Sequence, residues 1–228
     1  MKNNTTLINS LLSTYNVNTY IKNISLVLFG TLLLALSSKV QVPFWPVPMT
    51  MQTFIVFIIG MAYGWRLAFF TLVAYLVEGA LGLPVFAKGG GLLYLTGPTA
   101  GYLYGMTIAA AVIGFFAELG YNNSYFKSLI SLLIGTFIIF LFGVGYLGSV
   151  IGYDKALAGG LYPFIPSEFF KIGLAVVLIP SITRMSLITT MEKDTKEKKR
   201  PWWHYILLPI VGILSAGLAI ILVRFIFT

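Results

Sequence analysis

An all-α bundle that crosses a lipid bilayer several times is the fold class this sequence predicts, and three observations predict it. Hydrophobic residues make up 58% of the 228-residue chain and charged ones only 10%, against about 25% charged in soluble domains. Mean hydropathy is +0.90. The apolar residues also gather into segments near the ~20 residues a helix needs to cross a ~30 Å hydrocarbon core, divided by polar, proline-rich or glycine-rich stretches. The segments predict six core transmembrane helices and a seventh, C-terminal one. We expect a single membrane domain over residues 1–228, with a six-helix core at 24–191 and a basic loop plus an extra transmembrane segment at 192–228.

Each element follows from its residues. The first 23 residues lack the charged, apolar, small-residue order of a cleavable signal; Leu7, Ile8, Leu11, Leu12 and Tyr15 instead fall at the spacing of an interfacial helix. The first span, Ile24 to Ser38, ends at KVQVPFWPVPMT, where three prolines in close succession forbid a regular helix. The second, Met49 to Tyr63, is short, since fifteen helical residues cover only ~22 Å. Gly64, Trp65 and Arg66 turn the chain into a third span, Leu67 to Leu83, which GLP closes. The stretch VFAKGGGLLYLTGPTAGYLYG follows and leads into the fourth span, Thr99 to Leu119. YNNSYFK precedes the fifth, Ser128 to Val150, and YDKALAGGLYPFIPS precedes the sixth, Glu168 to Met191. After MEKDTKEKKR a seventh span is expected from His204 to Phe227. All four tryptophans, at 45, 65, 202 and 203, fall at predicted span ends, where indole prefers the headgroup region.

The formal charge of +8 does not indicate nucleic acid, because a third of the basic residues form one run, Lys193, Lys196, Lys198, Lys199 and Arg200, beside apolar spans. With a cytoplasmic N-terminus, Lys2, Lys22, Arg66, Lys127 and that run lie inside, and Lys39, Lys88 and Lys155 lie outside. This is the asymmetry of positive-inside topology. It puts the proline-rich, glycine-rich and YDKALAGGLYPFIPS connections on one membrane face, the outer one. With no cysteine and one histidine, the chain offers no disulfide, thiol nucleophile or ordinary zinc site. No cofactor, metal or catalytic residue is expected.

Charge inside a span is expensive and so marks candidate function. Glu168 and Lys171 open the sixth span three residues apart, on one helical face, where they can pair or together meet a polar ligand. Glu78 lies on the outward half of span three; Glu118 lies at the cytoplasmic end of span four, within reach of water. Gln52, Thr53, Tyr75, Tyr94 and Tyr102 can offer hydrogen bonds to a small polar head. The glycine-rich stretch lacks the strand and Lys-Ser/Thr pair of a phosphate loop, so any ATP is hydrolysed by another polypeptide. Lys88, Gly89, Gly90 and Gly91 are candidates for lining a ligand cavity with backbone, whereas Gly101 and Gly105, four apart, suit close helix packing.

The segments VPMTMQTFIVFIIG, YLVEGALGLPVF, LTGPTAGYLYG and PFIPSEFFKIGLA stand in the order and spacing of BioY-type proteins. Over Ile24 to Ile188 the chain resembles these biotin-specific substrate-binding, or S, components of energy-coupling factor (ECF) transporters. The resemblance implies a six-helix bundle in a bacterial plasma membrane that captures biotin from outside. It also implies partners: a transmembrane coupling protein and two cytoplasmic ATPases. Glu168 and Lys171 match family positions that bind the biotin head or its carboxylate, with glutamate here where the family usually has aspartate. Lys88 stands near a loop arginine of some relatives. Thr31, Ala35 and Lys39 take the spacing of an alanine-x-x-x-alanine surface that relatives use for docking. Biotin carries two ring N–H groups, one carbonyl, an apolar valeryl chain and a carboxylate, so a mostly apolar pocket with a few fixed polar groups suits it. The expected contacts are therefore Glu168, Lys171, Lys88, Glu78, Gln52, Tyr75, Tyr102, Gly90 and Gly91, with VPFWPVPMT as a lid. Alternatives are an S component for another vitamin, an intramembrane lipid-modifying enzyme using Glu78 or Glu118, and a channel. The last two lack, respectively, a carboxylate cluster and polar rings along a path.

Overall fold

A computed structural model describes residue 8 and residues 18–195, with side chains to residue 186. The 7–15 amphipathic segment and the seventh span thus lie outside the described residues, apart from Ile8. By internal contacts the chain divides into two units, 1–188 and 189–228; the first carries the helical bundle.

Helix α1 runs Thr19–Lys39 and starts where the Asn18 side chain accepts the Tyr20 N–H at 3.0 Å. Its inward face is Gly30, Thr31, Leu34, Ser37 and Ser38, so Thr31 faces the protein rather than an outer docking surface. Leu28, Leu32 and Leu36 are exposed instead. Beyond it the chain forms a two-stranded antiparallel hairpin, β1 (Gln41–Val42) and β2 (Met49–Thr50), with Gln41 opposite Thr50 and Val42 opposite Met49. Only a loop is expected here from the sequence. Pro43, Pro46 and Pro48 lack the N–H a ladder needs, which confines pairing to the residues that flank them.

Helix α2, Gln52–Tyr63, has 12 residues and rises ~18 Å, the short span that was expected. Gly64 at φ 80° ends it and opens α3, Trp65–Ala80; that φ is costly for a residue bearing a Cβ. The Trp65 N–H donates to Glu118 Oε1 at 3.2 Å, which places a carboxylate at the positive end of the α3 dipole. Residues 81–99 follow, containing a 3-10 turn, Leu92–Thr96. Helix α4, Ala100–Glu118, is the most enclosed of the long helices, 67% buried. Helix α5 is Tyr125–Ile151, a further short helix α6 is Tyr153–Gly160, and α7 is Phe164–Thr195. Helix α7 begins a turn earlier than the charged pair suggests, because Pro166 falls in its first turn, where no intrahelical N–H is required.

Among the described residues, α1, α4, α5 and the 164–186 part of α7 are long and apolar enough to cross a membrane. The six predicted spans correspond to α1, α2, α3, α4, α5 and α7, with α2 and α3 the short members. Their shared core includes Leu34, Phe57, Ile59, Leu72, Ile113, Leu132 and Ile139. Gly101 lies against the Phe142 carbonyl and Gly143, and Gly105 lies 3.0 Å, as measured from an added Cβ, from the Ile139 backbone. Small residues therefore bring α4 and α5 into close contact, as their four-residue spacing predicts.

The connections gather at one end. Lys39 Nζ donates to the Phe86 carbonyl and Gln41 Nε2 to that of Ala87 at 3.2 Å. An added Cβ on Gly159 would meet the Pro46 ring at 2.7 Å, and Tyr102 Oη donates to the Gly160 carbonyl at 2.8 Å. The proline-rich, glycine-rich and 152–163 segments thus meet one another. At the opposite end lie Lys22, Arg66, Lys127 and Arg184, the last donating to the Asn123 carbonyl at 3.2 Å.

Candidate functional site

The first turn of α2 and the second turn of α7 face each other below those connections. Lys171 Nζ, on α7, donates to Glu168 Oε1 at 2.7 Å, to Thr53 Oγ1 at 3.0 Å and to the Thr50 carbonyl at 2.7 Å. Thr53 in turn donates to Glu168 Oε1 at 2.9 Å. Glu168 is 3% exposed and Lys171 4%. An ammonium has three protons, and all three are engaged. The carboxylate is divided: Oε1 takes two donors, while Oε2 is buried with no partner. A buried acceptor left open in this way is costly, and Glu168 is among the residues that line a cavity.

That cavity, of about 40 Å³, is lined by Glu168, Lys171, Thr50, Gln52 and Thr53 on its polar side. Its other walls are apolar and aromatic, Val47, Pro48, Phe86, Ala87, Tyr94, Tyr102, Leu103, Met106, Ile139, Phe140 and Phe164, apart from Thr99. Tyr102 and Phe164 are parallel, their centroids 6.3 Å apart, and Phe140 meets both edge-on at 6.2 Å. The volume suits a few waters; a bicyclic ligand needs several times more. The β1–β2 hairpin and the 81–99 segment supply the roof, through Val47, Pro48, Phe86, Ala87, Tyr94 and Thr99.

The structure brings Glu168, Lys171, Gln52 and Tyr102 together on the cavity wall. Tyr75 stands one layer behind: its hydroxyl accepts from Gln52 Nε2 at 2.7 Å and donates to the Val85 carbonyl at 2.8 Å. It thereby fixes the Gln52 amide and the chain next to Phe86. Lys88, Glu78, Gly90 and Gly91 are not among the lining residues. Lys88 is exposed. The two glycines serve the loop's own packing rather than the cavity. An added Cβ on Gly90 would collide with the Leu83 carbonyl, and the Gly91 N–H donates to the Gly79 carbonyl at 2.6 Å with φ 103°.

Sequence reasoning missed the aromatic wall of Phe86, Phe140 and Phe164 and the Thr50 carbonyl. Phe86 and Phe164 do stand inside the GLPVF and PFIPSE motifs, the available signal; Phe140 lies in a uniformly apolar span with none.

The BioY family pattern matches residues 4–187. A protein of Pyrococcus horikoshii described as a probable biotin transporter BioY is 36% identical over 69% of this chain and 93% of its own length. The biotin transporter BioY of Thermotoga maritima is 33% identical over the same shares. A crystal structure of the S-component for biotin from an ECF-type ABC transporter superposes with a TM-score of 0.64, at 26% identity, covering 74% of this chain and 92% of that one. With the family pattern matched over residues 4–187 and relatives above 30% identity covered over most of their length, the chain belongs to the BioY family.

Proposed function

We propose that this chain binds biotin in the cavity between α2, α4, α5 and α7 and passes it across the membrane as the S component of an ECF transporter. The observation that carries the reading is the buried Glu168–Lys171–Thr53 network, with one carboxylate oxygen unpartnered, in the wall of an aromatic-lined hollow. A ligand with N–H donors, an apolar body and a carboxylate answers each part. Its N–H groups find Glu168 Oε2, its rings find the aromatic wall, and its anion competes for a Lys171 proton now held by Thr50 or Thr53. The relatives described as biotin transporters support the same choice.

The cavity end carries Lys39, Lys88 and Lys155, and the opposite end more basic residues. By the positive-inside rule the cavity then faces outward and the N-terminus lies in the cytoplasm of a bacterial plasma membrane. Energy comes from partners, a transmembrane coupling protein and two cytoplasmic ATPases, since the chain has no phosphate loop of its own. The roof opens to admit ligand and closes on it. No bond in the substrate is made or broken. Calorimetric titration of biotin into the purified protein tests the reading: saturable one-to-one binding that thiamine and riboflavin do not compete with is expected. Absence of heat with biotin, or displacement by either of the other vitamins, overturns it.

A further inference from the structure

Residues 81–99 join α3 to α4 with a single charge, Lys88, and expose large apolar side chains. Leu93 is 87% exposed, Leu81 80% and Leu92 70%. A loop in water leaves its carbonyls to solvent. Four carbonyls of this segment are taken by side chains from four helices instead. Val85 O accepts from Tyr75 and Ser38, Phe86 O from Lys39, Leu95 O from Tyr104 at 2.8 Å, and Thr96 O from Tyr146 at 2.9 Å. Non-helical backbone is tolerated at membrane depth only when the protein satisfies it, and the carbonyls of Val85, Phe86, Ala87, Leu95 and Thr96 meet that condition.

Its position agrees. Tyr104 lies on the exposed stripe of α4 that continues through Ile108 and Phe115, residues at helical spacing on one face. Tyr146 is one turn beyond Phe142 on α5, which is 42% exposed. These are the sides of the spans that meet lipid, and the 3-10 turn is fastened across their ends.

We propose that the turn Leu92–Thr96 is an interfacial membrane anchor, with Leu92 and Leu93 entering the acyl region of a phospholipid layer and the Lys88 ammonium reaching to phosphate level. Its inner side carries Tyr94, stacked on Phe86 at 4.8 Å, and both rings line the cavity. The bilayer therefore holds one wall of the site in place. The anchor does not depend on the ligand being biotin.

The chain has no cysteine, so single spin labels are unambiguous. We would label Leu92→Cys and Leu93→Cys in the full chain, reconstituted in vesicles of phosphatidylethanolamine and phosphatidylglycerol. Phe137→Cys on the exposed side of α5 serves as the lipid reference and Lys155→Cys on α6 as the aqueous one. Power saturation with oxygen and a water-soluble nickel chelate then reports where each label sits. Oxygen-to-nickel accessibility ratios at 92 and 93 several-fold above that at 155, and approaching that at 137, are expected. Ratios equal to that at 155 overturn the proposal, as does inaccessibility to both reagents, which would place protein rather than lipid on the leucines.

Discussion

Replacing Lys171 with methionine separates what holds the site together from what it binds. The substitution keeps most of the apolar stem and removes the ammonium, deleting the hydrogen bonds to Thr50 O, Thr53 Oγ1 and Glu168 Oε1. Glu168 is left with one neutral donor, Thr53, for two buried oxygens, one of which had no partner to begin with. Breaking a buried pair by removing one partner costs about 3–5 kcal/mol. At roughly 2–4 °C per kcal/mol for a chain of this size, the melting temperature should fall by about 6–20 °C. The assay is thermal unfolding of the purified protein in detergent, followed by fluorescence-detected size exclusion, for Lys171→Met, Glu168→Gln and the double variant. In the double variant no unpaired charge remains and the amide can still accept from Thr53, so it should recover most of the loss, while all three variants lose biotin binding. The reasoning fails if Lys171→Met melts within about 2 °C of the parent, or if the double variant is no more stable than Lys171→Met.

Three further outcomes rest on single contacts. Gly101→Ala pushes a methyl against the Phe142 carbonyl and Tyr146 Cβ and should destabilise by about 1–3 kcal/mol; Gly145→Ala, inside a helix with nothing within 4 Å of the added carbon, should not lower the same thermal midpoint and should raise it by the equivalent of about 0.4–1 kcal/mol. Tyr75→Phe removes the acceptor of Gln52 Nε2 while Val85 O keeps its bond from Ser38, and at about 1–2 kcal/mol for a buried donor left unpaired calorimetry should show biotin affinity falling roughly tenfold, although Tyr75 does not line the cavity. Glu118→Ala deprives the Trp65 N–H of its acceptor and should lower stability by about 1 kcal/mol, with biotin affinity unaltered in the same titration.

The helices were legible because apolar length is written locally: each of the six expected spans has its helix, and the brevity of α2 is visible in the interval between Pro48 and Gly64. The Glu168–Lys171 pair was legible because charge is rare in such a chain and three-residue spacing fixes a shared face. The glycine-rich stretch was expected to line the ligand, and Lys88, Gly90 and Gly91 are not among the residues that line the cavity. Glycine reports that something comes close, and only the fold reveals that Leu83 and Gly79 backbone do so here. The aromatic wall was hidden for the opposite reason, since a phenylalanine facing a cavity and one facing lipid are the same letter in a uniformly apolar span. The hairpin escaped because two pairs of residues bridged by prolines have no period to detect. Tyr75, placed on the wall by sequence, stands behind it, a distinction of one side-chain layer that no spacing encodes.

The most direct test of the central claim is an experimentally determined structure of this protein with biotin bound. The account predicts the vitamin between Phe86, Tyr102 and Phe164, with a ring N–H within hydrogen-bond distance of Glu168 Oε2 and the roof segments displaced to make room. Biotin seated elsewhere on the protein, or held in this cavity with Glu168 and Lys171 turned away from it, contradicts the account.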